Sequence, residues 1–184
     1  MRRREAVQTL GAVIALQLIP RNAHAAIELG ERIHRRVGDV PFRTLNPDQQ
    51  RLVTQIAEMI IPETDTPGAT SVRVPEFIDL ILTEWASDEE KAAFLAGLAD
   101  IDVQAAAAGG APKFVELAEA KRGDFLTGLD AKSPAKAGAA HAFERLKALT
   151  VYGYFTSRPV QEDILKTQMF FNGYDGNVPF TPRV

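Results

Sequence analysis

The sequence predicts an all-α protein, a bundle of five or six helices followed by an irregular, aromatic C-terminal tail. Apolar residues recur at helical spacing in several segments, capping motifs precede two of these segments, and no segment alternates apolar and polar residues between hairpin turns. The 184 residues, 46% of them hydrophobic and 24% charged, suit one ordinary domain with enough apolar side chains for a core. We therefore expect the helices to pack as a single bundle.

The clearest predicted helix lies in the stretch LNPDQQRLVTQIAEMIIP. Asn46 suits the N-cap, Pro47 suits the first turn, and Gln49 completes a capping box with Asn46. Pro62 ends the helix. A second helix begins near Pro75 in VPEFIDLILTEWAS. The apolar faces of these two helices are predicted to consist of Leu52, Val53, Ile56, Met59 and Ile60 in the first, and Phe77, Ile78, Ile81, Leu82 and Trp85 in the second.

Further helices are predicted on both sides of this pair. Ser87 and Glu90 form another capping box, which opens a helix that ends near Gly109 and Gly110. Weaker helical periodicity covers 114–129, and stronger periodicity covers 137–155. The stretch IELGERIHRRVGDVPFRT, near the N-terminus, has no clean period and predicts a short helix followed by a connector.

The N-terminal segment has the organisation of a signal peptide. Basic residues open it, residues 6–20 carry no charge, and Ala23 and Ala25 supply the small-x-small pattern that a signal peptidase accepts. We predict a signal peptide over 1–25, with cleavage before Ala26. The alternative is an N-terminal helix that stays attached. The uncharged stretch is shorter than the roughly 20 residues that a membrane-spanning helix needs.

The paired residues Arg3 and Arg4 in RRREAV, followed by an only moderately apolar stretch, resemble a twin-arginine export signal. This route exports folded proteins, which predicts the twin-arginine translocase as a transient partner and the periplasm as the destination. A chain exported in this way often carries a cofactor or a partner.

Charge and cysteine content limit the functional classes. The formal net charge is −3, and without residues 1–25 the chain has 17 basic and 23 acidic residues. An acidic body lacks the positive surface that binding to nucleic acid requires, so we expect no nucleic-acid partner. Cysteine is absent, so the chain forms no disulfide and binds no thiolate-ligated cluster or c-type haem. Any redox cofactor is therefore expected in another chain.

The stretch IIPETDTPGAT, residues 60–70, is the strongest candidate for a site. Glu63 and Asp65 could bind one cation only in a tight turn, whereas the threonines and Pro67-Gly68 are typical of a turn that hydrogen-bonds its own backbone. We interpret the stretch as a rigid turn in which Glu63 and Asp65 contact a partner. A metal-assisted enzyme that uses these two carboxylates with His34 or His141 is the alternative.

No motif assigns catalysis to the chain. A G-x-S-x-G nucleophile elbow, a G-x-G-x-x-G dinucleotide loop and a P-loop are all absent from the sequence. Two histidines after the signal segment and no cysteine do not supply the ligand set of a typical structural zinc site. We therefore assign no catalytic, cofactor-binding or metal-binding residue. An independent periplasmic binding or scaffold protein remains a further alternative.

The C-terminal tail, from about residue 168, spreads aromatic residues among glycine, asparagine and proline. These aromatic residues are Phe170, Phe171, Tyr174 and Phe180. Aromatic rings on an irregular segment suit docking onto a partner surface, where they often act as anchors. The alternative is that the tail folds back over its own bundle.

Three segments together resemble a known family. IAEMIIPETDTPGATSVRVPEFIDLIL, ALTVYGYFTSRP and GYDGNVP are similar to the small subunit of membrane-associated gluconate 2-dehydrogenases, known as subunit 3 or gamma, which also accompanies related FAD-dependent sugar dehydrogenases. The resemblance covers most of the chain after the signal, and the I-P-x-T-D-T-P-G-A run is its most specific part.

The resemblance implies a helical, cofactor-free accessory subunit that supports export, folding and stability of its partner. In such complexes a large flavoprotein of the glucose-methanol-choline type carries FAD and oxidises the sugar or sugar acid. A multihaem cytochrome with haem c often passes electrons to the respiratory chain, which places the complex at the inner membrane. The family has no established catalytic residues. The absence of cysteine implies a noncovalent interface with the flavoprotein.

Overall fold

A computed structural model of the protein describes residues 23–38, 42–109 and 111–166. The predicted all-α bundle is confirmed, because the described residues form six α-helices and no strand. The helices are α1 (Ala23–His34), α2 (Pro47–Ile60), α3 (Val74–Glu84), α4 (Asp88–Gly109), α5 (Glu119–Asp130) and α6 (Gly138–Phe155), with a 3-10 turn at Phe114–Glu116 and a π-helical turn at Val160–Ile164.

Helix α6 is the centre of the bundle. It packs most extensively against α4 and also contacts α2, α3, α5 and α1. Its second half is buried on almost every side, which fits a helix with apolar residues around its whole circumference. The contact with α4 is close, because a Cβ atom added to Gly97 would lie 2.5 Å from Cβ of Ala142 and 2.9 Å from the Gly138 carbonyl oxygen.

Both predicted capping boxes are confirmed. The Asn46 side chain accepts hydrogen bonds from the amides of Asp48 (3.0 Å) and Gln49 (2.9 Å), and the Gln49 side chain accepts one from the Asn46 amide (3.0 Å). In the second box the Ser87 hydroxyl accepts a hydrogen bond from the Glu90 amide (3.2 Å), and the Glu90 carboxylate accepts one from the Ser87 amide (3.0 Å). These side chains satisfy amides that the first turns of α2 and α4 leave without helical partners.

A buried carboxylate fixes the segment that leads into α2. Asp79, 4% exposed on α3, accepts hydrogen bonds from the backbone amides of Arg43 (2.9 Å), Thr44 (3.0 Å) and Leu45 (2.7 Å). Three donors satisfy the two carboxylate oxygens, which offsets the cost of burying the charge. Asp79 therefore sets the position from which α2 starts.

The weak helical period predicted over 114–129 is interrupted in the structure. The 3-10 turn at Phe114–Glu116 is followed by Leu117 in an extended conformation, and α5 begins only at Glu119. The cause is long-range: Asp102 of α4 accepts a hydrogen bond from the Phe114 amide (2.9 Å), and the Phe114 ring is fully buried. Anchoring the turn to α4 stops the helix from continuing through it.

The predicted termini are only partly described. Ala23 and Ala25, the small residues at the predicted cut, lie in α1. The predicted export residues Arg3 and Arg4 lie outside the described residues, as do Phe170, Phe171, Tyr174 and Phe180 of the tail. In the part of the chain that the structure describes, no helix is long and apolar enough to cross a membrane.

Candidate interaction site

The connection between α2 and α3, residues 61–73, is folded tightly back on itself; we call it the α2–α3 loop. The Ala69 amide donates to the Ile61 carbonyl (2.9 Å), which closes the base of the loop. The Thr64 amide donates to the Thr66 carbonyl (3.0 Å), which tightens its tip. These two backbone hydrogen bonds contribute to the defined shape of the loop.

Glu58, in the last turn of α2, organises the loop from within. Its two carboxylate oxygens accept hydrogen bonds from the backbone amides of Glu63 (2.9 Å) and Thr70 (3.0 Å). Partial burial alone would raise the pKa of Glu58, but the hydrogen bonds from Thr70 and Glu63 outweigh it and hold that pKa below its ordinary value. One ionised side chain thus joins the two halves of the loop.

Tyr154 of α6 supports the loop from the core. It is 5% exposed, and its hydroxyl donates a hydrogen bond to the Pro67 carbonyl (2.9 Å). Gly68 follows at a point of close approach, where an added Cβ atom would lie 2.2 Å from the Glu58 carboxylate and 2.8 Å from the Glu63 amide. Only a residue without a side chain fits there while Glu58 keeps its two bonds.

The end of the loop carries backbone strain. Arg73 has a φ of 62°, in the left-handed region that non-glycine residues rarely adopt. Its conformation turns the chain into α3, where the Val74 amide donates to the Ala69 carbonyl (3.0 Å) and the Arg73 side chain pairs with Glu76 (3.2 Å). The loop is therefore fixed at both ends and in its middle.

The two carboxylates singled out in the sequence lie on the exposed surface of this loop. Glu63 accepts a hydrogen bond from the Ser71 hydroxyl, and Asp65 accepts one from the Thr64 hydroxyl, both at 3.0 Å. Each carboxylate is thus tied to a different hydroxyl, and both remain exposed to solvent. Their assignment to a partner interface stays a prediction.

The described residues contain no group of three or more histidine, cysteine, aspartate or glutamate side chains placed to hold a metal ion. His141 donates from Nδ1 to the Ala135 carbonyl (2.8 Å), which fixes the start of α6. His34 donates from Nε2 to the Gly153 carbonyl (2.7 Å) and stacks on Phe77, with ring centroids 4.5 Å apart. Both histidines thus join neighbouring parts of the bundle.

Burial lowers the pKa of His34 to about 4, although the hydrogen bond to Gly153 acts in the opposite direction. At neutral pH the ring is therefore uncharged, and it stacks on the buried Phe77 ring. The neutral His34 ring can therefore stay buried while it joins α1 to α6.

An open groove of about 660 Å³ adjoins the α2–α3 loop. It follows the outer face of α2 and is bounded by Thr70 at the loop end and by Val115 at the other side. Its lining residues are Phe42, Pro47, Gln50, Arg51, Thr54, Gln55, Glu58, Thr70 and Val115. The loop and the groove form one continuous surface of mixed polarity.

A model of the family described as gluconate 2-dehydrogenase subunit 3 matches residues 47–173, well over half of the chain. The chain belongs to the gluconate 2-dehydrogenase subunit 3 family. No curated protein and no solved structure gives a significant match. In this subunit 3 chain the matched segment starts at the first residue of α2 and contains the whole α2–α3 loop, whereas α1 precedes it.

Three residues that shape the loop were not singled out from the sequence. Glu58 and Arg73 lie in the segment IAEMIIPETDTPGATSVRVPEFIDLIL and Tyr154 lies in ALTVYGYFTSRP, and these segments carry the family resemblance only as a whole. Glu58 lies two residues before the end of α2, and its partner Thr70 is twelve residues away, so no local pattern indicates this contact. No local signal indicates Tyr154, because its partner Pro67 is 87 residues away.

Proposed function

We propose that this chain is the non-catalytic small subunit of a periplasmic, inner-membrane-associated, FAD-dependent sugar or sugar-acid dehydrogenase. Its role is to support export, folding and stability of the large flavoprotein subunit. The family match over residues 47–173 carries the proposal, because it spans α2 to α6 and names a subunit of a dehydrogenase complex.

In this proposal the large subunit carries FAD and a third subunit carries any haem c, as the family resemblance implies. The sequence agrees with this division, because it contains no dinucleotide-binding loop and no cysteine. Substrate contacts then lie on the flavoprotein. The small subunit contributes a surface rather than a reacting group.

The α2–α3 loop is the part of that surface best suited to docking. Glu58 and Tyr154 hold it in one conformation before any partner binds, so little conformational entropy is lost on association. Glu63 and Asp65 on its exposed side offer carboxylates to basic residues of the flavoprotein. Preorganisation of this kind favours affinity without requiring a large apolar patch.

The aromatic tail provides the second part of the interface in this proposal. Phe170, Phe171, Tyr174 and Phe180 bury their rings against the flavoprotein, since rings of this size contribute strongly when desolvated at an interface. Truncation after Thr167 is then expected to release the large subunit in a copurification, with the helical circular dichroism retained. Retained complex, or lost helicity, contradicts this role of the tail.

The export role is tested by replacing Arg3 and Arg4 with lysine. If the pair recruits the twin-arginine translocase, the double variant leaves both this chain and the flavoprotein in the cytoplasm. Cell fractionation and dye-linked dehydrogenase activity measure this directly. The matched control replaces Arg35 and Arg36 with lysine, which leaves the N-terminal pair intact. Normal periplasmic activity in the Arg3 and Arg4 double variant contradicts joint export.

A further inference from the structure

The predicted cleavage site lies inside a helix that is docked on the folded body. The bond between Ala25 and Ala26 is within the first turn of α1, which begins at Ala23. Proteases cleave chain that is locally open, and a peptidase cleft holds its substrate as an extended strand. In the folded chain this bond is therefore not in a conformation that a peptidase can use.

Tyr152 of α6 fixes this first turn. Its hydroxyl donates a hydrogen bond to the Ala26 carbonyl (2.7 Å), and the Tyr152 residue is only 3% exposed. The ring packs edge-on against Phe77, with centroids 5.6 Å apart, so the hydroxyl is held in place. Burial also raises the pKa of Tyr152, although the backbone of Gly30 opposes this, so the hydroxyl keeps its proton at physiological pH.

The remainder of α1 is held at its other end and in its middle. His34 binds the Gly153 carbonyl, about 12 Å along the helix from Ala26 at 1.5 Å per residue. Gly30 lies so close to α6 that an added Cβ atom would be 2.4 Å from Cβ of Thr156. Helix ends normally fray at almost no cost, and the Tyr152 hydroxyl opposes fraying at the turn that contains the cut.

We infer that the hydrogen bond from Tyr152 to Ala26 delays removal of residues 1–25 from the folded chain. Cleavage by the host's membrane-bound signal peptidase adds water across the Ala25–Ala26 bond. It leaves a carboxylate on Ala25 and an amino group on Ala26. When opening is fast relative to cleavage, the rate follows the population of opened first turn. The inference rests on the export part of the proposed function, because it takes the predicted cut as its site.

The consequence is an order of events. A chain exported in the folded state keeps its N-terminal segment until the first turn of α1 opens. The same contacts stay with the processed chain, because Ala26 and the rest of α1 remain on the body after the cut. Processing thus depends on a side chain in the centre of the bundle, far from the cut in sequence.

The test is the rate of cleavage of the purified full-length chain by a purified signal peptidase in detergent micelles. Mass spectrometry follows the appearance of the fragment that begins at Ala26. Tyr152→Phe removes only the hydroxyl and is expected to raise the initial rate about 5- to 10-fold, the effect of one hydrogen bond on the opening equilibrium. A synthetic peptide of residues 1–34 serves as the undocked reference and is expected to be cut faster still.

Tyr154→Phe is the matched control. It also removes a hydroxyl from a buried α6 tyrosine, but that hydroxyl binds Pro67 in the α2–α3 loop and not α1. It is expected to leave the cleavage rate unchanged. Equal rates for the two variants, or a wild-type chain cut as fast as the peptide, overturn the inference. A peptide that is not cut before Ala26 overturns the cut site and the inference with it, but leaves the accessory role to be judged by copurification.

Discussion

At the level of single residues, the fold is held by polar side chains that reach backbone groups far away in the sequence. Glu58 binds an amide twelve residues later, Asp79 binds amides 34 to 36 residues earlier, and Tyr154 binds a carbonyl 87 residues earlier. None of these partners is encoded by a local pattern, so sequence analysis could not predict them. The two capping boxes could be predicted, because both partners lie within three residues.

The first prediction concerns Glu58. Glu58→Gln keeps one carbonyl oxygen but places an NH₂ group opposite one of the two amides of Glu63 and Thr70. Losing one hydrogen bond to an amide of these exposed residues costs about 0.5–1.5 kcal/mol, so we expect the free energy of unfolding to decrease by about that amount at pH 7. Urea unfolding measures the loss, and hydrogen exchange is expected to quicken at the Thr70 amide. Glu116→Gln, at an exposed position, is the control and should change stability by less than about 0.5 kcal/mol. Equal effects of the two substitutions contradict the role of Glu58.

The second prediction concerns the pH dependence that His34 introduces. Its pKa is about 4 in the folded chain and about 6.5 in the unfolded chain, so between these values the unfolded state binds more protons. Stability should therefore fall as the pH decreases from about 6.5 to about 4, by up to about 3 kcal/mol from this residue. His34→Gln retains a donor for the Gly153 carbonyl but does not titrate.

Unfolding of wild type and His34→Gln by urea at several pH values between 4.5 and 7.5 isolates this contribution. The difference in the free energy of unfolding between the two proteins should narrow as the pH falls, because only in the wild type does protonation of residue 34 favour the unfolded state. A slope that is identical in wild type and His34→Gln means that the ring is not buried in its neutral form.

At the level of secondary-structure elements, the sequence predicts what is local and the structure adds what depends on packing. Helices α2 and α4 could be predicted almost to the residue, because a cap begins each and proline or glycine follows each. The interruption before α5 could not be predicted, because it depends on the hydrogen bond from the Phe114 amide to Asp102. The close contacts of α6 could not be predicted either, because a glycine within a helix normally indicates lower helix stability rather than close packing.

The third prediction uses a pair of helical glycines. In Gly153→Ala the new Cβ atom would lie 2.7 Å from the Phe77 ring, which is fully buried and contacts the rings of His34 and Tyr152. Overpacking of this kind costs about 1–3 kcal/mol. Gly128→Ala in α5 meets no atom within 4 Å and should gain about 0.5–1 kcal/mol from helix propensity. Thermal unfolding should shift in opposite directions for the two variants, and a shift in the same direction refutes the packing argument for Gly153.

At the level of the whole molecule, both the family and the all-α fold could be predicted from the sequence. The I-P-x-T-D-T-P-G-A run indicates the family, and apolar residues at helical spacing indicate the fold. In the structure this run lies in the α2–α3 loop. The contacts that shape this loop have a physical basis in an ionised Glu58, a glycine at the tightest point and a strained Arg73. Strain and preorganisation are typical of segments that bind. In the proposed function, this loop contacts the flavoprotein subunit.

The central claim is that this chain is a subunit bound to a flavoprotein, and copurification tests it most directly. The affinity-tagged chain is expressed in its own host, isolated from the periplasmic and membrane fractions, and examined for flavin absorbance, subunit composition and dye-linked oxidation of sugars and sugar acids. The account predicts a stable complex that contains a large FAD-binding chain and loses its dehydrogenase activity when the small subunit is deleted. Isolation of the tagged chain alone, together with full activity in the deletion strain, would contradict it.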